Sequence, residues 1–521
     1  MNKRNYNIFF HLHTVSGITI SVFLFIIFFA GAFALIKDDI AVWEKGEPVA
    51  AINPLNINYD RVIETIQQKG YTLAGRDIRM LLPDERNEML VVLSESKHKN
   101  ASKEDKIPAF FNINTVTYKI SEYYAFYSFG ELIYRFHFLT PIPYGLYIAG
   151  FVALFFLFAI VTGVIVHWNK IISNFYLFRP TSKLKTVWTD AHTALGMIGL
   201  PFQFVYALTS CFFCLSILVL LPANFLYHSD QTRLLEELRP MTKSYPLLNK
   251  SEKISSFNTF IKQNTSRWES FEPLQVYIKN YGDRSMKYQV DGASASEKRL
   301  LGYGRLVYDV HSSKIVSSVN PNDTNYLENV ELTLRKLHFG DYGGYWLKFA
   351  YFVMAIITCF VIISGVLIWL EARNKKNIPE YKRTFNRRVG YIYLSICLTM
   401  YPITAISFIV SKLIPRDMDA TRQTILYSVF FGGWIIMALL FGLKKNNYFT
   451  NKYTLLIAAI VGLLIPVVNG LSSGNWIWRT LADHQTSIFI VDVFWLIASA
   501  STFFAFYLVV RKEIASVETN S

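Results

Sequence analysis

Long apolar runs alternate with long polar segments along the first part of this chain, and apolar runs dominate the rest. Stretches able to cross a hydrocarbon layer, which takes about 20 residues, lie near Val15–Ile36, Tyr147–Val166, Leu195–Leu221 and Leu347–Leu370. Four more lie near Val389–Leu413, Ile425–Leu443, Tyr453–Leu471 and Ser487–Val510. The pattern predicts an α-helical integral membrane protein with about eight transmembrane helices. Two polar segments separate the first crossing from the second and the third from the fourth, and each reads as a small α/β domain. In the first, Tyr59–Lys69 has helical spacing of Val62, Ile63 and Ile66, and alternating stretches near Arg76–Leu82, Met89–Ser94 and Phe110–Ile120 predict strands. In the second, Lys253–Gln263 is the expected helix, with strands near Leu274–Lys279, Ser285–Val290 and Arg305–Ser317. The expected division is therefore residues 1–36, 136–168, 186–221 and 338–371 for the first four crossings, 37–135 and 222–337 for the two polar domains, and 388–510 for a C-terminal four-helix module.

Composition agrees, because 52% of the 521 residues are hydrophobic, more than a soluble core of this size needs. The net charge of +14 would suit a nucleic-acid partner if it were pooled on one soluble face. Instead many lysines and arginines fall in short segments between apolar runs, such as Arg179, Lys183 and Lys185, or Arg373, Lys375, Lys376, Lys382, Arg383, Arg387 and Arg388. Such loops are cytoplasmic under the positive-inside rule. No nucleic-acid partner is expected. Both termini are then cytoplasmic and both α/β domains periplasmic, with the first apolar run retained as an anchor because no small-residue cleavage signal follows it. The four cysteines all lie in apolar runs, and the Cys211–Cys214 CxxC reads as packing.

An internal repeat organises the first 375 residues. His13-Thr14-Val15-Ser16-Gly17 and His192-Thr193-Ala194-Leu195-Gly196 open the first and third crossings with the same HTxxG spacing. His137-Phe138 and His338-Phe339 precede the second and fourth crossings, followed by Tyr144-Gly145 and by Tyr342-Gly343-Gly344. Near the far ends come Thr162-Gly163 and Ser364-Gly365.

Imidazoles at membrane depth read as functional by default. The repeat places them at two levels, His13 and His192 at the cytoplasmic ends of outward helices, His137 and His338 at the outer ends of inward ones. Two neutral imidazoles fill both axial sites of a haem iron and leave a centre that passes one electron. A two-haem relay follows. His167 competes with His13 for the cytoplasmic level, with His11 a third candidate; it follows His137 by 30 residues, about 45 Å of helix, so those two cannot share one haem. His11 and His13 point to different sides of a helix, so at most one ligates. Gly17, Gly196, Gly145 and Gly344 are expected to make room for a flat macrocycle, and Asp190 is the main carboxylate able to support a ligand, through His192.

Several of these segments resemble the PepSY-associated transmembrane family of bacterial inner-membrane proteins over residues 8–375. They are Gly163-Val164-Ile165-Val166-His167-Trp168, Phe178-Arg179-Pro180, Trp188-Thr189-Asp190-Ala191-His192 and Leu337-His338-Phe339-Gly340-Asp341-Tyr342-Gly343-Gly344. Phe111-Asn112-Ile113-Asn114-Thr115 and Tyr308-Asp309-Val310-His311-Ser312-Ser313-Lys314 resemble the strand and turn of a PepSY domain, with Val116 and Ser313 where its glycine is expected. The family includes ferric-siderophore reductases with two b-type haems. The resemblance implies an inner-membrane oxidoreductase carrying two haem b groups and reducing ferric siderophores or other ferric chelates in the periplasm. With no GxGxxG after a strand and short cytoplasmic loops, electrons would come from a membrane quinol or a separate reductase. Two other classes stay open, an iron- or siderophore-related transporter and a PepSY-based regulatory scaffold.

Overall fold

The computed structural model describes residues 1–47, 53–82, 87–123, 126–216, 221–222, 225–264, 268, 271–294, 302–322, 326–415 and 419–518. Its helices, in chain order, are α1 (Lys3–Ala34), α2 (Lys37–Lys45), α3 (Tyr59–Gln68), α4 (Phe129–His137), α5 (Gly145–His167), α6 (Ile171–Tyr176), α7 (Leu184–Cys214), α8 (Gln231–Leu238) and α9 (Phe257–Asn264). They continue as α10 (Tyr326–Phe339), α11 (Gly344–Ala372), α12 (Glu380–Leu413), α13 (Asp419–Tyr427), α14 (Gly433–Leu443), α15 (Asn447–Ser473), α16 (Ile477–Ala482) and α17 (Thr486–Glu518). The strands are β1 (Ile78–Leu81), β2 (Glu88–Leu93), β3 (Ala109–Asn114), β4 (Ile120–Glu122), β5 (Phe271–Lys279), β6 (Lys287–Ser294), β7 (Tyr303–Asp309) and β8 (Lys314–Val319).

The chain divides into two compact units, a helical one of residues 1–47, 127–219 and 337–521, and a second of residues 48–126 and 220–336. In the helical unit, 8 helical spans among the described residues are long and apolar enough to cross a membrane, as the sequence predicts. The third starts earlier than its apolar run, at Leu184, and residues 217–220 of the expected crossing lie outside the described residues. That early turn is held by Asp190, whose carboxylate accepts from the Arg179 backbone N–H at 3.1 Å and from Arg179 Nε and Nη2 at 2.9 Å. Close helix approach elsewhere relies on small residues, as in water-free bundles generally: a Cβ on Gly462 would stand 2.3 Å from Ser499 Oγ, so α15 and α17 meet there. All four cysteines are free thiols.

The second unit departs from expectation first in how its two segments combine. The two polar segments fold together into one 8-stranded antiparallel sheet of order β4-β3-β2-β1-β5-β6-β7-β8. The joint is the pairing of β1 with β5, Ile78 opposite Ile278 and Leu81 opposite Gln275. Alone, each half would expose an edge strand and bury too little apolar surface; pairing removes two edges at once. Alternate residues Ile78, Met80, Val91, Val276, Ile278 and Val290 share a core with Val62 and Ile66 of α3 and Phe257 and Ile261 of α9. The expected strands at 110–120 and 305–317 are each two strands joined by a tight turn. Ser313 occupies the left-handed region (φ 55°) at the position where a glycine is expected, whereas in the first turn the left-handed residue is Tyr118 (φ 60°) rather than Val116.

Candidate functional site

Four of the five candidate histidines meet as two pairs within the helical unit. His13 of α1 faces His192 of α7 with ring centres 6.2 Å apart and planes at 69°. His137, the last residue of α4, faces His338 of α10 at 6.0 Å and 38°. One nitrogen of each ring in a pair would hold an iron between the two rings, which is the role two imidazoles take at a haem. The residues present therefore fit a group that takes two axial imidazoles. No group of three or more His, Cys, Asp or Glu able to hold a metal ion occurs among the described residues, so the pairs suit a group that brings its other ligands with it.

Each ring is also aimed. His13 Nδ1 donates to the Ala159 carbonyl at 2.8 Å, His137 Nδ1 to Ile27 at 2.8 Å and His192 Nδ1 to Val361 at 2.9 Å. Carbonyls only accept, so these bonds assign the proton to Nδ1 and leave the Nε2 lone pair free, the arrangement that orients a ligating histidine. For His338 the partner is the Thr209 hydroxyl at 2.7 Å, which itself donates to the Val205 carbonyl at 2.6 Å and so accepts from Nδ1.

The three carbonyls share a local design. Ile27, Ala159 and Val361 each lie one helical turn before a glycine, Gly31, Gly163 and Gly365. A helix carbonyl already takes the N–H four residues on, and its second lone pair is reachable when that fourth residue has no side chain. A Cβ on Gly31 would stand 2.7 Å from His137 Nδ1 and Cε1; on Gly163, 3.1 Å from His13 Cε1; on Gly365, 3.2 Å from His192 Cε1. Gly163 and Gly365 recur in the repeat, and their place beside the histidines is the signal they carry; Gly31 has no such counterpart in the sequence pattern.

Several expectations need correction. Gly145 instead lets α5 start against the Leu139 carbonyl, whereas at Gly344, with its positive φ (60°), a Cβ would meet nothing within 4 Å. Gly17 does face open space, and a Cβ on Gly196 would meet only Val361 at 4.0 Å. Asp190 pairs with Arg179, while His192 bonds α11; two residues apart on a helix they point to different sides. His11 is exposed. His167 ends α5 one turn beyond Gly163, and it is His13 that lies against Gly163 and opposite His192.

A family described as the PepSY-associated TM region matches residues 10–372. The chain belongs to that family. The match covers both copies of the repeat, including all four paired histidines, and ends before the C-terminal helices α12–α17 of this PepSY-associated membrane protein. No curated protein matches the chain.

Proposed function

We propose that this PepSY-associated protein is a di-haem electron carrier of the bacterial inner membrane that reduces ferric siderophores or other ferric chelates in the periplasm, in support of iron acquisition. The observation that carries the reading is the pair of imidazole pairs, each at the spacing of two axial ligands and each with Nδ1 tied back. Bound haem b supplies one-electron chemistry at each level. The protein's part is to orient Nε2, hold the Nδ1 proton and keep the rings among apolar helices, where burial tunes potential. His13 and Ile27, the residue that anchors His137, are 14 positions apart on α1, about 21 Å of helix. That is most of a ~30 Å hydrocarbon layer, so the two levels divide one crossing into shorter steps. The lysine- and arginine-rich short loops support a cytoplasmic side for the His13/His192 level and both termini, and a periplasmic side for the sheet unit. A quinol or a separate reductase is the electron source.

The test is kinetic and sided. Pre-reduced protein in oriented vesicles, given a ferric siderophore outside, should reoxidise while a chelator captures ferrous iron, and His338→Ala protein should not. Reoxidation only from the cytoplasmic face, or by no ferric chelate, would favour a transporter or a scaffold.

A further inference from the structure

A buried ion pair in the helical unit stands outside everything assigned so far. Glu44 of α2 and Arg422 of α13 meet at 2.6 Å with both side chains almost wholly buried. They are separated by 378 residues, and Arg422 lies in the helices beyond the family match. A buried ion pair is seldom retained for stability alone, since hydrophobic replacements of similar volume do as well. Its remaining bonds show what it holds. Glu44 Oε1 accepts from the Phe129 N–H at 2.7 Å, the first residue of α4. Arg422 Nε donates to the Tyr127 carbonyl at 3.0 Å, just before that helix, and its other nitrogens donate to Ser411 at 2.7 Å and Ile414 at 3.0 Å, at the end of α12.

The far end of α4 is His137. Its flank is gripped from the same side: the Phe430 ring, in the π-helical turn Ser428–Gly432, stands 5.6 Å from Phe129 and 5.7 Å from Phe136. The start of α4 is pressed onto α2, for a Cβ on Gly130 would fall 2.3 Å from the Lys37 carbonyl. A carboxylate at a helix N-terminus satisfies otherwise unpaired N–H groups and the positive end of the dipole. In a helix as short as α4, 9 residues, fixing the first turn fixes the last.

We propose that Glu44 and Arg422 are positioning residues for the haem of the His137/His338 pair: the C-terminal helices clamp α4 at its start and thereby set the angle and reach of His137. The inference rests on the di-haem reading. The pair touches neither histidine; it acts through α4. The His13/His192 pair, on α1 and α7, is the internal control.

The experiment uses full-length protein in detergent, with the two haem signatures separated by redox titration and assigned by His192→Ala and His338→Ala. Glu44→Ala should lose about half the haem per chain, as removal of a ligand-orienting partner does at 10–100-fold weaker binding, with the His13/His192 signature and potential unchanged. Glu44→Gln keeps an acceptor for Phe129 N–H and should keep both haems while shifting the midpoint potential of the His137/His338 haem alone. Arg422→Lys should do the same. Equal loss of both haems, or unchanged potentials in Glu44→Gln and Arg422→Lys, overturns the clamp while the di-haem reading stands. Wild-type protein without haem removes the ground for both.

Discussion

The two histidine levels are built from the same repeat and differ in one element. At the His13/His192 level both rings donate to a carbonyl that precedes a glycine by one turn, Ala159 before Gly163 and Val361 before Gly365. At the other level His137 keeps that design through Ile27 and Gly31, but His338 does not. The repeat offset that carries His13 onto His192 carries Ile27 onto Tyr206 and Gly31 onto Ser210. Ser210 has a Cβ where the imidazole would approach, and His338 is held instead by the hydroxyl of Thr209. Ring orientation is thus the conserved requirement of the geometry, and the group that meets it varies with the space a neighbouring helix leaves.

The largest effect that would break this comparison is expected at Gly31. Its Cβ would overlap both Nδ1 and Cε1 of His137 at 2.7 Å, so Gly31→Ala should remove the haem of that level, read as a fall in haem per chain by absorbance. Thr209→Val comes next. It keeps the shape and deletes the acceptor, and should weaken haem retention at the His338 level about tenfold or more, measured by transfer to an apo-acceptor protein. Adding Ser210→Gly should recover part of that loss by opening the Tyr206 carbonyl; no recovery would mean that the glycine rule does not explain the asymmetry. Gly163→Ala and Gly365→Ala meet their rings at 3.1 and 3.2 Å and should keep both haems at a packing cost of about 1–3 kcal/mol, seen as a lower midpoint of thermal unfolding.

The smallest effect lies in the sheet unit. Burial works to raise the Asp309 carboxyl, but bonds from Lys287 and from Ser312 N–H hold it below the usual carboxylate range. Burial also works to raise Asp283, yet it is held low by Ser285 and by the N–H groups of Ser285, Leu248 and Lys250. Folded values below the unfolded ones give stability that is complete above the unfolded pKa, about 3.9, and is lost as pH falls through the folded values. Hydrogen exchange should therefore show β6–β8 loosening below about pH 4, less steeply in Asp309→Asn; an unchanged pH profile in that variant would contradict the assignment.

Much of this was legible from residues. Apolar runs long enough to span, and the HTxxG and His-Phe recurrences, give the crossings and the paired histidines. The rest depends on contacts that local patterns do not encode. Nothing in two separate polar segments says that Ile78 will pair with Ile278, and an edge strand does not name its partner. Glu44 reads as one more charge after the first crossing until Arg422 is beside it. Gly145 reads as a neighbour of the His137 site because it is near that histidine in sequence, yet it packs on the Leu139 carbonyl; a helix carries sequence neighbours away and returns residues one turn apart, as Ala159 and Gly163 are.

The central claim, one haem for each pair, is tested most directly by haem per chain in purified protein from haem-replete cells, compared across wild type, His192→Ala and His338→Ala. The account predicts about two, one and one, with each variant losing a different redox component. Colourless wild-type protein, or loss of both haems from each variant, would contradict it.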